Sequence, residues 1–220
     1  MRFSPRRLLA SAFVFLVAVT TALAAGPAPG QQPVQEADPP PRPDLVRQPY
    51  STADVEFMSG MIPHHAQAVL MAGWAASHGA RPELRILCER QVVAQRDEIA
   101  TMRTWLRDRG EFVPPADATH HRMKMNGVEH DMLMPGMLSP EELEKLDKAR
   151  GPEWDRLFLT YMIRHHEGAL QMVDVLFKSY GAMQDDDVYK LATDIHADQE
   201  IEIERMRKML AAYAKGSELH

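Results

Sequence analysis

The chain has one cysteine, Cys88, in 220 residues, so it can form no internal disulfide, whatever the redox state of its compartment. Cys88 lies in the helical stretch RPELRILCERQVV and reads as a small buried apolar residue rather than a redox centre. No Cys-x-x-Cys-His occurs, which excludes covalently attached haem. Basic residues are outnumbered, 25 against 31 acids, for a formal charge of −6. An acidic chain of this kind is a poor ligand for nucleic acid or an anionic membrane. No stretch shows sustained strand alternation, and no hairpin is expected. The longest apolar run, Leu8 to Thr20, is too short for a membrane span.

That run belongs to an export signal. Arg2, Arg6 and Arg7 precede it, and Ala22-Leu23-Ala24 offers a small-x-small cleavage site before Ala25. The general secretory route fits better than a twin-arginine one, and no cysteine at the site supports a lipid anchor. Residues 1–25 are therefore read as a signal peptide. Its loss removes three arginines and no acids, taking the charge from −6 to −9. Residues 26–50 are proline-rich and aperiodic, a linker outside the fold. Residues 51–220 form one domain of ordinary size.

What the chain does have is a phrase stated twice. Residues 54–72 read DVEFMSGMIPHHAQAVLMA and residues 155–172 read DRLFLTYMIRHHEGALQM. His64 and His165 stand 101 positions apart, and the surrounding Asp, Phe, Met-Ile, Ala and Met recur at the same offset. Each copy is followed by an echo, Gln95-x-x-Glu98-Ile99-x-x-Met102 and Gln199-x-x-Glu202-Ile203-x-x-Met206.

The punctuation is helical. Ser51–Asp54 caps a first helix that Gly79 should end, and Pro82-Glu83 opens a second that Gly110 should end. Ser139-Pro140-Glu141-Glu142 starts a short helix stopping at Gly151. Pro152-Glu153 opens the next, to Tyr180-Gly181, and the last runs from Asp185–Asp187 to Lys215-Gly216. Phe57, Met61, His64, Ala68 and Met71 form one stripe; so do Phe158, Met162, His165, Ala169 and Met172. Gln95, Glu98, Met102 and Trp105, and Gln199, Glu202, Met206 and Met209, form partner stripes. The reading is all-α: a four-helix bundle of two duplicated helical hairpins, with a short extra helix and a long Met/His-rich crossover, residues 111–138. Pro63 should kink or break the first helix.

The stripes put His64 and His165 inward, with His65 and His166 turned about 100° toward a neighbouring seam. Adjacent helical histidines cannot readily chelate one ion together, so one of each pair leads. Met61 and Met162 lie a turn before them. Glu98 and Glu202 could ligate a metal or orient an imidazole by accepting its second N–H. The alternative is a metal-free polar layer that fixes helix register. Di-iron bundles use Glu-x-x-His; here methionine stands three before each histidine, which weakens iron. Thioether with imidazole suits copper in either oxidation state, and zinc remains open from His and Glu alone. The crossover adds His120, His121, Met123, Met125, His130, Met132, Met134 and Met137. These read as a second soft-metal site or, equally, as a hydrophobic flap over one end of the bundle.

The phrases FMSGMIPHHAQAVLMA, QRDEIATMRTWL, MPGML, FLTYMIRHHEGALQM and QEIEIERMRKML, in that order across residues 51–212, resemble the bacterial domain-of-unknown-function 305 family. The resemblance implies a ferritin-like helical bundle. It also implies copper handling, as in some exported members, at His64, His65, His165, His166 and the nearby methionines. It supplies no reaction. The expectation is thus an exported metal-binding protein that buffers or transfers copper, with a metal donor or acceptor protein as partner. A copper or iron oxidoreductase, a non-covalent haem protein and a metal-free partner-binding bundle are the alternatives.

Overall fold

The computed structural model describes residues 48–125 and 128–217. Among these residues five helices carry the fold: α1 (Thr52–Gly73), α2 (Pro82–Asp108), α3 (Pro140–Lys148), α4 (Gly151–Lys178) and α5 (Asp186–Ser217). The chain is an all-α bundle in which α1 pairs with α2, α4 pairs with α5, and α1 crosses α4. The expected signal peptide and most of the proline-rich linker lie outside the described residues.

The starts follow the capping chemistry. Ser51 and Asp54 form a reciprocal capping box, as do Ser139 and Glu142, and proline stands in the first turn of α2, α3 and α4. The stops differ at one place. α1 ends at Gly73, not Gly79; the Trp74 N–H turns back to the carbonyls of Met71 and Ala72. Tight turns follow, and Gly79, at φ +73°, carries the reversal into α2. Pro63 does not break α1, which is continuous across it.

The crossover also departs from expectation. His121–Met125 (β1) and Val128–Met132 (β2) pair as an antiparallel hairpin, Met125 opposite Val128, with β1 against α1. Asn126-Gly127, which separates the strands in sequence, is the dipeptide most favoured in two-residue hairpin turns.

The core is two apolar clusters. The first takes Phe57 and Met61 of α1, Met102 and Trp105 of α2, Met172 and Val173 of α4 and Ile195 of α5. The second takes Met71 of α1, Leu84 and Cys88 of α2, Trp154, Phe158 and Met162 of α4 and Met206 of α5. α1 and α4 therefore run antiparallel, each with one end in each cluster, and their His-His pairs fall between the two. Cys88 is buried; burial first, then Asp155 and Glu202, push its thiol pKa well up, so it stays protonated as a small packing residue.

Candidate metal centre

The boundary between the clusters is a polar layer. His64, His65, His165 and His166 are all at most 1% exposed. The His64 and His165 rings lie 3.9 Å apart between centroids. Within each adjacent pair the separation is 6.2 Å and 6.3 Å, so neighbours in sequence diverge. This follows from the 100° step between successive helical residues.

His65 and His166 reach the partner helices. His166 Nε2 and Glu202 Oε2 are 2.6 Å apart, and Gln91 donates to the same oxygen at 2.9 Å. His65 Nε2 is paired with Glu98 Oε2 at 2.7 Å, off ideal hydrogen-bond alignment, and its Nδ1 has no hydrogen-bond partner. Gln95 and Gln199 are buried in the same layer, their side-chain oxygens unpaired.

The tautomers follow from the acceptors. A carbonyl can only accept, so His64 Nε2, 3.0 Å from Pro135 O, carries the proton and Nδ1 keeps a lone pair. The Glu202 carboxylate fixes His166 the same way. Five of the eight ring nitrogens have no partner: Nδ1 of His64, His65 and His166, and both nitrogens of His165. Leaving a buried polar atom unpaired costs about 1–3 kcal/mol. Each neutral imidazole has one nitrogen with a lone pair, and the dry lone pairs of His64 and His165 are what a soft cation needs as ligands.

Burial, and then the neighbouring His65, hold His64 down at about 3, against an opposing push from Pro135 O. His165 is also held well below its usual value, by burial first and then by His64. Both folded-state values lie under the ordinary 6.5, so the unfolded chain binds protons that the folded chain refuses. The contribution is therefore complete above 6.5 and is lost as pH falls from there toward 3. Urea unfolding of the metal-free protein at pH 7.5 and pH 4.5 should show a loss that shrinks when both histidines are replaced by leucine.

A lid from the end of the crossover closes the α1–α4 face. Gln67 donates to Leu138 O at 3.0 Å and accepts from Leu138 N–H at 2.7 Å. Pro135-Gly136 crosses α4 at Gly168 so closely that a Cβ there would meet Pro135 O at 1.9 Å. Gly136 itself has φ +78°, and a Cβ there would meet the Arg164 and His165 carbonyls. Met137 is buried and Met134 packs on the first cluster. Arg164 holds both Glu142 oxygens, at 2.7 and 2.6 Å, tying α4 to α3 beside the lid. Pro135, Gln67, Gly168 and Gln91 were not singled out from sequence; the MPGM run and the Gly after His-His-Glu were the available signals.

The remaining candidates divide. Met61 and Met162 are buried, one in each apolar cluster, on opposite sides of the imidazole pair. His120 is half-buried and, with Pro63 and Phe112, lines a cavity of about 360 Å³. Met132 is exposed. His121, Met123, Met125 and His130 lie on the hairpin strands, with Met123 opposite His130. Among the described residues, no group of three or more His, Cys, Asp or Glu side chains could hold a metal ion. A site built on His64 and His165 must therefore be completed by other donors, and thioethers are the nearest class in sequence. No helix among the described residues is long and apolar enough to cross a membrane.

Known proteins share this fold. A putative secreted protein from Streptomyces coelicolor is 27% identical, with TM-score 0.61, over 74% of this chain and 94% of its own. A fragment from Deinococcus radiodurans is 25% identical, TM-score 0.60, over 74% and 99%. CopM, solved in a Cu(I)-bound form, is 28% identical, TM-score 0.55, over 73% and 96%; it is also known in Cu(II)- and Ag-bound forms. Uncharacterized protein L153 of Acanthamoeba polyphaga mimivirus is 32% identical over 56 residues, 26% of this chain. That match spans 37% of the curated relative's length. Residues 54–210 match the family described as Domain of unknown function (DUF305), and this chain belongs to that family.

Proposed function

We propose that this chain is an exported copper-binding protein that buffers or passes on the ion rather than turning over a substrate. The observation that carries the reading is the His64–His165 pair, 3.9 Å apart, buried, with unpartnered nitrogens. His64 and His165 would hold the ion, Met61 and Met162 would supply thioether sulfur, and His65 and His166 would stand beside them. Glu202, and Glu98 by position, would orient imidazoles. Two imidazoles with thioethers suit Cu(I), which is soft and tolerates few ligands. Structural zinc wants four anchored donors, and among the described residues no three His, Cys, Asp or Glu side chains converge. The copper- and silver-bound forms of CopM support the same preference. Met134 and Met137 of the lid, with the histidines and methionines of the hairpin, would form a second, weaker place for the ion on its way in or out.

Export rests on the three-part pattern of residues 1–25 and on the relative described as secreted. Elemental analysis of natively purified protein, followed by competition titration against a chromophoric Cu(I) chelator, tests the function. Stoichiometric copper, held against the chelator, is the expected result. A protein that emerges with zinc or iron in stoichiometric amount, or takes up no copper, contradicts it.

A further inference from the structure

The two helices that carry the histidine pairs repeat one another, but the lid meets them differently. Position 67 in α1 is equivalent to position 168 in α4, at the same offset of 101 that relates His64 to His165. One is glutamine and the other glycine. Gln67 is fully buried and grips the lid backbone at Leu138 through both its amide oxygen and its amide nitrogen. Gly168 is the gap that admits the lid: the atom nearest to a Cβ built there is the Pro135 carbonyl oxygen, at 1.9 Å. That same oxygen accepts from His64 Nε2 across the seam, at 3.0 Å. One carbonyl is thus wedged between α4 and the imidazole of α1.

The consequence falls on the imidazoles. His64 has a partner at Nε2 and none at Nδ1, whereas its equivalent, His165, has none at either nitrogen. The lid therefore makes unequal two side chains that the repeat makes equal. An imidazole whose Nε2–H is held by a carbonyl can ligate only through Nδ1. His165 is under no such constraint. A cation at Nδ1 draws electron density from the ring and makes Nε2–H a stronger donor, so the bond to the metal and the bond to the carbonyl reinforce each other.

We propose that Pro135 is a positioning residue for the metal site: its carbonyl fixes His64 as an Nδ1 ligand, and Cu(I) held there tightens the lid in return. The inference rests on the copper-binding reading above and adds which atom binds and how the lid takes part. The coupling is reciprocal, so whatever factor the closed lid adds to affinity, the ion adds to lid closure. An outer partner of a ligating histidine is worth 10–100-fold, which puts both effects at about tenfold or more.

The test uses the full-length chain, isotope-labelled, metal-free and loaded anaerobically with Cu(I), which is diamagnetic. Long-range nitrogen–proton correlation spectra report which ring nitrogen carries the proton and which the metal. Without metal, His64 should be protonated at Nε2 alone, while His165 samples both tautomers. On loading, the metal should appear at His64 Nδ1 with the Nε2 proton retained, and exchange of the Leu138 amide should slow about tenfold. Gly168→Val, which displaces the carbonyl, should mix the His64 tautomers and weaken Cu(I) binding about tenfold in chelator competition. Tautomer mixing is a signature that a general loss of stability does not produce, and the wild-type spectra decide the matter even if that variant does not fold. Metal at His64 Nε2, or Leu138 exchange unchanged by loading, overturns the proposal and leaves the copper-binding reading standing. A protein that takes up no Cu(I) overturns both.

Discussion

Replacing His64 and His165 together by leucine is expected to abolish tight copper binding while leaving the metal-free fold about as stable as before. The affinity loss should be at least about a hundredfold, since removing even an outer partner of a metal ligand costs 10–100-fold. The stability expectation comes from the imidazoles themselves. Three of their four ring nitrogens are buried without a partner, so the pair costs free energy in the metal-free state. Apolar side chains of similar volume remove that cost and forfeit one hydrogen bond, to Pro135 O. Replacing both members of a buried polar pair by apolar groups is often neutral or stabilising. Copper at about 100 times its dissociation constant should stabilise the wild type by about 2.7 kcal/mol and the variant not at all. Chemical denaturation with and without copper reads both effects. A double variant that melts far below the wild type without metal would assign the pair to register-fixing.

Gly168→Val should destabilise the protein by about 1–3 kcal/mol and uncover the imidazole pair. The side chain has no room: its Cβ would fall 1.9 Å from Pro135 O and 2.7 Å from Gly136 N, both backbone. Gly136, at φ +78°, lies just as close to the Arg164 and His165 carbonyls of α4, so relief comes only by movement away from that helix. The lid must lift as a unit, straining the Gln67–Leu138 hydrogen bonds and removing the acceptor from His64. Gly60→Ala is the control. Its Cβ would meet the terminal methyl of Met134 at 2.7 Å, a flexible end that can swing away. Hydrogen exchange at Leu138, whose N–H is held by Gln67, should rise sharply in the Gly168 variant and little in the Gly60 one. Equal protection in both would show that the lid is not pinned at Gly168.

The two His-His stripes and their glutamate partners were legible because helical periodicity decides which residues share a face. Once His64 and His165 fall on inward stripes of antiparallel helices, they meet. Helix starts were legible for a similar reason, since Ser51, Ser139 and the first-turn prolines act through local backbone chemistry. The lid was not legible. Its hold on α1 and α4 depends on Gln67 and Gly168 facing one seam, a contact across some seventy residues in the first case, with no local signature. The hairpin was legible and was missed: Asn126-Gly127 stands between β1 and β2, but methionine and histidine spacing drew the reading of that segment. α1 ends at Gly73 rather than at the next glycine, and beyond it the buried His78 contacts Asp147 through Nε2, a tertiary contact with no local signature.

The most direct measurement is anomalous diffraction at the copper edge from crystals of the copper-loaded protein. The account predicts a peak within bonding distance of ring nitrogens of both His64 and His165. Peaks confined to the hairpin, the lid methionines or the molecular surface, with the imidazole pair still in van der Waals contact and empty of metal, would contradict it.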